Sequence, residues 1–215
     1  VIDIYLGVYE TCFDECYDLA RAQYGELNQP EYGKGVSILK LPNYHGFENA
    51  WLTNHNTLRK RANKAKRIGY RVERVEPAHY PGDIEAINRS LGSRQGRPMS
   101  DSYTDGWKPA TSLIGDPQCP QHHRAFYGVL SAFNALVGYI SAVRCGEVVV
   151  ISMLLGHGEY LNDGIMYLAM RELVRDQLVC GTGYVFYNRH DSGTPGLRWF
   201  KERLGFAEED VTWKL

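Results

Sequence analysis

The chain has 215 residues, 44% of them hydrophobic and 23% charged, with a formal net charge of −1 and a pI near 6.7. That length fits one large domain that can bury a core, the composition excludes a disordered or low-complexity chain, and the charge balance excludes a globally basic nucleic-acid binder, so such a role needs a local patch. No apolar run approaches the ~18 residues of a membrane-spanning helix, and the N-terminus has neither a basic n-region nor a small-residue cleavage site, so a soluble, cytoplasmic protein without a signal peptide is expected.

In chain order, apolar and aromatic positions from Thr11 to Tyr24 predict a helix, followed by a short strand from Val36 to Leu41 that Pro42 closes. Leu58, Ala62, Ala65 and Ile68 mark the buried face of a second helix, outlined by Thr53 to Tyr70 and stopped by Gly69. Its other positions include Arg59, Lys60, Arg61, Lys64, Lys66 and Arg67, with no acidic residue among them. Arg71 to Val75 alternates like a strand. Pro81 and Asp83 open a helix through Ile84, Ile87 and Leu91, which the segment Arg94 to Met99 interrupts. Ser100 to Tyr103 begins a second short helix in this reading, and Lys108 to Gln121 is a long Pro- and Gly-rich loop.

The last third is the most regular. Phe126–Leu130, Leu136–Val143 and Val148–Leu154 read as strands, a long helix runs from about Leu161 to Val179, and Tyr184–Tyr187 is a buried strand. Thr194-Pro195 opens a helix that continues to Leu204, and Phe206 to Leu215 reads as a last strand pair. The five cysteines form no CxxC pair, and the loop pair His122-His123 has no carboxylate at ligand spacing; reduced thiols and no metal are expected.

Four segments carry candidate chemistry. The basic helix can meet the phosphates of a nucleic acid through Arg59, Arg61, Lys64 and Arg67, the alternative being a solvated face. Arg94, Gln95 and Arg97 flank Gly96, which permits close backbone approach to a carboxylate or phosphate, and Tyr103 nearby can donate a proton. The segment after the third regular strand carries His157, Glu159, Asn162 and Asp163; His157 suits a general base, and Asp163 is expected to cap the following helix. Asn188, Arg189, His190 and Asp191 leave a buried strand together, a poor sequence for a core and a useful one for a site. Adjacent residues on an extended strand point to opposite faces, so one of His190 and Asp191 is structural.

The segment GLRWFKERLGF, Gly196 to Phe206, at the end of this order of strands and helices, resembles the last helix of proteins with the GNAT fold, here over about Arg71 to Leu215. Within that fold, Gly196-Leu197 and Phe200-Lys201 with Leu204-Gly205, together with the basic run Arg61 to Tyr70, resemble the FemABX-type aminoacyl transferases. The resemblance implies an α/β fold with a GNAT-like mixed central sheet flanked by helices over residues 70–215. Residues 1–69 would be an N-terminal α/β extension whose basic helix spans 55–69. It implies an acyltransferase moving an acyl or aminoacyl group to an amine or hydroxyl. The co-substrate would be aminoacyl-tRNA or acyl-CoA, and the acceptor a small molecule, a peptide or a nucleic acid. The GNAT pyrophosphate motif is absent from Leu154 to Met166, where Glu159 and Asp163 would repel phosphate. An acyl-CoA-dependent N-acetyltransferase with a degenerate motif and a nucleic-acid-binding or nucleic-acid-modifying protein on the same scaffold are the alternative readings.

Overall fold

A computed structural model of the chain describes residues 1–7, 14–42, 45–94, 97–99 and 119–215. The strands are β1 (Ile2–Tyr5), β2 (Val36–Lys40), β3 (Arg71–Arg74), β4 (Ser93–Arg94), β5 (Arg97–Pro98), β6 (His122–Leu130), β7 (Leu136–Cys145), β8 (Val148–Gly156), β9 (Tyr184–Arg189), β10 (Ala207–Glu209) and β11 (Val211–Lys214). The helices are α1 (Asp14–Leu27), α2 (Phe47–Asn54), α3 (Asn56–Ile68), α4 (Pro81–Arg89), α5 (Ile165–Val179) and α6 (Pro195–Arg203).

Seven strands form one sheet in the order β10-β2-β9-β8-β7-β6-β3. Among its pairs only β8–β9 is parallel, so the sheet is mixed, as expected. The sheet takes β2 from before residue 69 and its other strands from after it. The expected last strand pair is not a hairpin: β10 pairs with β2, whereas β11 pairs in parallel with β1 as a separate ribbon.

Alternation along the strands divides the core. Val149 and Ile151 of β8 face one layer, with Ala62 and Ala65 of α3, Leu168 and Leu173 of α5, and Trp51 of α2. Val148 and Val150 face the other, with Leu19 and Leu27 of α1 and Trp213 of β11. Farther along this second face, α4 seats Ile84 and Ile87 on Phe126 and Tyr139. A strand covered on both faces reads as a continuous apolar run, which is the pattern of Val148 to Ile151.

Several local expectations change. Helix α2 precedes α3 as a separate element. The helix expected from Leu161 is a 3-10 turn over Gly158–Asp163, then α5 from Ile165. Gly164 separates them with φ 86°, and a Cβ there would collide with the Arg61 carbonyl of α3, so that position needs glycine twice over. Asp163 is therefore not the cap of α5; it accepts hydrogen bonds from Lys64 Nζ and Tyr70 Oη instead. His122 and His123 are buried in β6 rather than displayed on a loop.

Candidate active site

The parallel neighbours β8 and β9 pair only over Val148–Val150 and Tyr184–Phe186. Past that point each strand continues, β8 to Gly156 and β9 to Arg189, without the other. A register shift against β7 lies at the same place: Ala142 faces Ile151 and Ser141 faces Met153, so Ser152 is the extra residue of a bulge. A bulge bends its strand and takes one residue out of the ladder, and here it opens a fork between β8 and β9.

A cavity of about 390 Å³ fills one face of the fork, walled by Met153, Leu155, Tyr187, Leu197, Ser152, Asn188, Ser192 and Lys201, with Arg94 and Met99 at its edge. A second cavity of about 410 Å³ lies on the opposite face, walled by Gln23, Glu26 and Leu27 of α1, by Gln29, Glu31 and Tyr32, and by Phe186. Ile151, Ser152 and Asn188 line both, so the fork separates a chamber that holds Lys201 from an acidic one that holds Glu26 and Glu31.

Lys201 is the main chemical feature of the first chamber. Thr194 caps α6 by accepting from the Leu197 amide, Pro195 starts it, and Leu197, Lys201 and Leu204 fall on its inner side. The Lys201 side chain is fully buried. Its Nζ donates to the Arg189 carbonyl and to Ser192 Oγ at 3.2 Å, and it lies 5.1 Å from the centre of the Tyr187 ring. Burial pushes its pKa down to about 8, opposed by the charge of Asp191. Asn188, at the end of β9, holds φ at 57°, and its Oδ1 accepts from the Arg189 amide at 2.6 Å. Asparagine tolerates the left-handed region, and such backbone strain concentrates at functional sites.

The residues singled out in the sequence are dispersed around this fork. His190 is buried behind β9, where Nδ1 is hydrogen-bonded to Ser37 Oγ at 3.0 Å and Nε2 lies 3.7 Å from Glu202. Asp191 points outward and pairs with Arg189, whose hydrogen bonds hold its carboxyl below the usual range. His157 caps the 3-10 turn by accepting from the Glu159 amide. Among the described residues, neither His190 nor His157 lines the two chambers. Arg94 donates to the carbonyls of Gly156 and Ile87 and to Ser90 Oγ, so its guanidinium braces α4 against the end of β8. Glu159 and Asn162 are exposed, and the Asn162 carbonyl accepts from Arg61 and Lys64. Gln95, Tyr103 and the side chain of Arg97 lie outside the described residues.

The basic helix lines a broad, open hollow of about 830 Å³ with Lys60, Arg61, Asn63, Lys64, Lys66 and Arg67. All of these lining residues belong to α3, and none is acidic. Part of its charge is balanced from other elements: Lys64 pairs with Asp163 and Lys66 with Glu172, while Arg59 bonds Asn56.

Lys201, Ser152 and the acidic chamber were not among the sequence candidates. Lys201 carried a legible signal, a lysine on the otherwise apolar stripe of Leu197 and Leu204.

A mixed sheet that forks between two parallel central strands, with helices on both faces, defines the GNAT-like class of fold. No family model matches the chain, and no curated protein matches it in sequence. Solved structures do match. FemX superposes with a TM-score of 0.57 at 14% identity, over 85% of this chain and 61% of its own. L-PGS from Bacillus licheniformis gives 0.54 at 14% identity over 87% and 62%. The C-terminal DUF2156 domain of a protein classed with lysylphosphatidylglycerol synthetases, from Agrobacterium fabrum, gives 0.54 at 12% identity over 82% and 57%. The chain thus spans about three-fifths of each of these proteins and shares their fold.

Proposed function

We propose that this chain is an acyltransferase that moves an aminoacyl group from aminoacyl-tRNA to an amine. The observation that carries the reading is the buried ammonium of Lys201 at the wall of the chamber in the fork, beside Ser152 and Asn188. A charge held out of water beside neutral acceptors is poised for an anion that exists only during reaction.

In this reading the donor ester enters the chamber of Lys201, with its carbonyl beside Ser152 and Lys201. The acceptor enters from the acidic side, where Glu26 and Glu31 attract its ammonium and take or relay the proton it must lose. The amine lone pair attacks the carbonyl carbon, and the oxygen becomes an oxyanion. Lys201 and backbone N–H groups at the bulge stabilise it. Collapse breaks the ester bond, and the leaving tRNA hydroxyl takes up a proton. A carboxylate rather than a histidine is the base, and His190 serves by fixing the junction of β2 and β9.

The choice of donor rests on the turn after β8. Its amides are engaged within the chain: Gly158 N donates to Ser90 Oγ, Glu159 N to His157 Nδ1 and Tyr160 N to the His157 carbonyl. Gly158 is packed against Leu91, where a Cβ would come within 2.8 Å of its side chain. These groups are poorly placed to cradle a CoA pyrophosphate, whereas the cationic hollow of α3 suits an RNA backbone.

The test offers the protein a labelled aminoacyl-tRNA pool or labelled acetyl-CoA, each with a panel of amines, hydroxyl compounds and peptides. Label passing from tRNA to an amine, with a loss of about 10²-fold or more in Lys201→Met, is the expected result. Transfer from acetyl-CoA alone would restore ordinary N-acetyltransferase chemistry. Salt-sensitive tRNA binding with no transfer to any acceptor would favour a nucleic-acid-binding role.

A further inference from the structure

On the far side of the molecule from Lys201, Cys16 of α1, Cys119 and His122 of β6 are buried together, and one ligand atom from each lies within 4.8 Å of the other two. From this cluster we infer that the chain holds a tetrahedral, thiolate-rich metal site of the kind filled by Zn²⁺. The inference does not depend on the transferase reading.

Cys119-Pro120-Gln121-His122 forms a tight turn in which the His122 amide donates to the Cys119 carbonyl at 3.2 Å. Proline at the second position suits such a turn, and the turn brings both side chains to one side. Cys119 Sγ lies 3.7 Å from His122 Nδ1. Two ligands on one tetrahedral zinc, with Zn–S and Zn–N bonds of about 2.3 and 2.0 Å, stand about 3.6 Å apart.

The tautomer of His122 is set by its other nitrogen. Nε2 lies 3.2 Å from the Leu6 carbonyl, which can only accept, so Nε2 carries the proton and Nδ1 presents its lone pair to the cysteines. A ring N–H donated to a backbone carbonyl is the usual outer support of a metal-bound histidine. Two thiolates neutralise the dication, and the two thiol protons leave to solvent on binding.

Three donors leave a fourth tetrahedral position. Cys145 stands across the ladder from His122, outside the group of converging ligand atoms. A water can complete the shell.

The location gives the site its purpose. It joins helix α1, the turn at Cys119 and the start of β6, with Leu6 after β1 against the His122 ring. Helix α1 then runs on to Gln23 and Glu26, which wall the acidic chamber. A metal at the other end of α1 fixes the helix that shapes that chamber.

The experiment measures metal in the full chain produced with added Zn²⁺ and dialysed, with Co²⁺ as a spectroscopic substitute. About one Zn²⁺ per chain is expected, together with the sulfur-to-cobalt charge-transfer absorption and the strong visible bands of tetrahedral Co²⁺. Cys119→Ser and His122→Ala should each lower metal content at least ~10-fold. His122→Cys, which keeps a ligand, and Cys180→Ser, which lies outside the cluster, should retain it. Wild-type protein with less than about a tenth of an equivalent, undiminished metal in Cys119→Ser, or an intact mass revealing a Cys16–Cys119 disulfide would each overturn the site.

Discussion

Lys201 combines full burial with the absence of a carboxylate in direct contact among the described residues, a combination that costs stability and therefore calls for a use. Its pKa of about 8, against an ordinary 10.5, gives two linked expectations. Between those values the unfolded chain binds more protons than the folded one, so unfolding free energy rises as pH climbs from about 8 towards 10.5, and at lower pH the whole cost of burying the charge is present. Denaturant unfolding at pH 7 and pH 9.5 should show this rise in wild type and not in Lys201→Met, which should be at least as stable as wild type at pH 7. Transfer activity, by contrast, needs the ammonium and should fall as pH passes about 8. Lys201→Arg stays charged, so its alkaline limb should move to higher pH even if its rate is lower. A pH–rate profile unchanged by Lys201→Arg would remove the ammonium from the mechanism.

At the scale of elements, two devices shape the fork. One is the close approach of α3 to the turn before α5, which Gly164 permits with φ 86° and no room for a Cβ. Gly164→Ala should cost about 2 kcal/mol or more, seen as a lower denaturation midpoint at unchanged slope, because it adds a strained φ to a collision with the Arg61 carbonyl. The other is the bulge at Ser152. Proline is compatible with bulges but removes a backbone donor. Ser152→Pro should therefore fold, by circular dichroism, while losing about 10²-fold in turnover if the bulge amides hold the oxyanion. A folded Ser152→Pro enzyme with full turnover would place the oxyanion elsewhere.

At the scale of the whole molecule, the two faces of the sheet differ in charge. The face of α2, α3 and α5 carries the cations of α3, and the opposite face carries the carboxylates of the acidic chamber. No described helix is long and apolar enough to cross a membrane. If RNA lies along α3, tRNA affinity should weaken with salt, and the Lys60→Ala/Arg67→Ala pair should reduce the log–log salt slope by about 1–2. Fluorescence titration at several salt concentrations reads that slope directly, and an unchanged slope would exclude this surface as the contact.

Much of the fold was legible along the chain. The apolar run Val148 to Ile151, the stripe of Leu58, Ala62 and Ala65, and the Thr194-Pro195 start of α6 are local signals, set by the period of each element and the chemistry of its ends. The site was legible only in part. Asn188 was found because polar residues leaving a buried strand are conspicuous. Lys201 lay in plain sight within the motif that carried the resemblance, yet its burial depends on how α6 sits against β9. The bulge, the fork and the gathering of Cys16, Cys119 and His122 are long-range events. They depend on which strands become neighbours and in what register, which no local pattern encodes. The sequence by itself thus determined most of the central elements and the class of fold, though not β1, α2 or the β4–β5 pair. Only the tertiary structure decided which side chains meet, because side-chain meetings follow from the packing of segments distant along the chain.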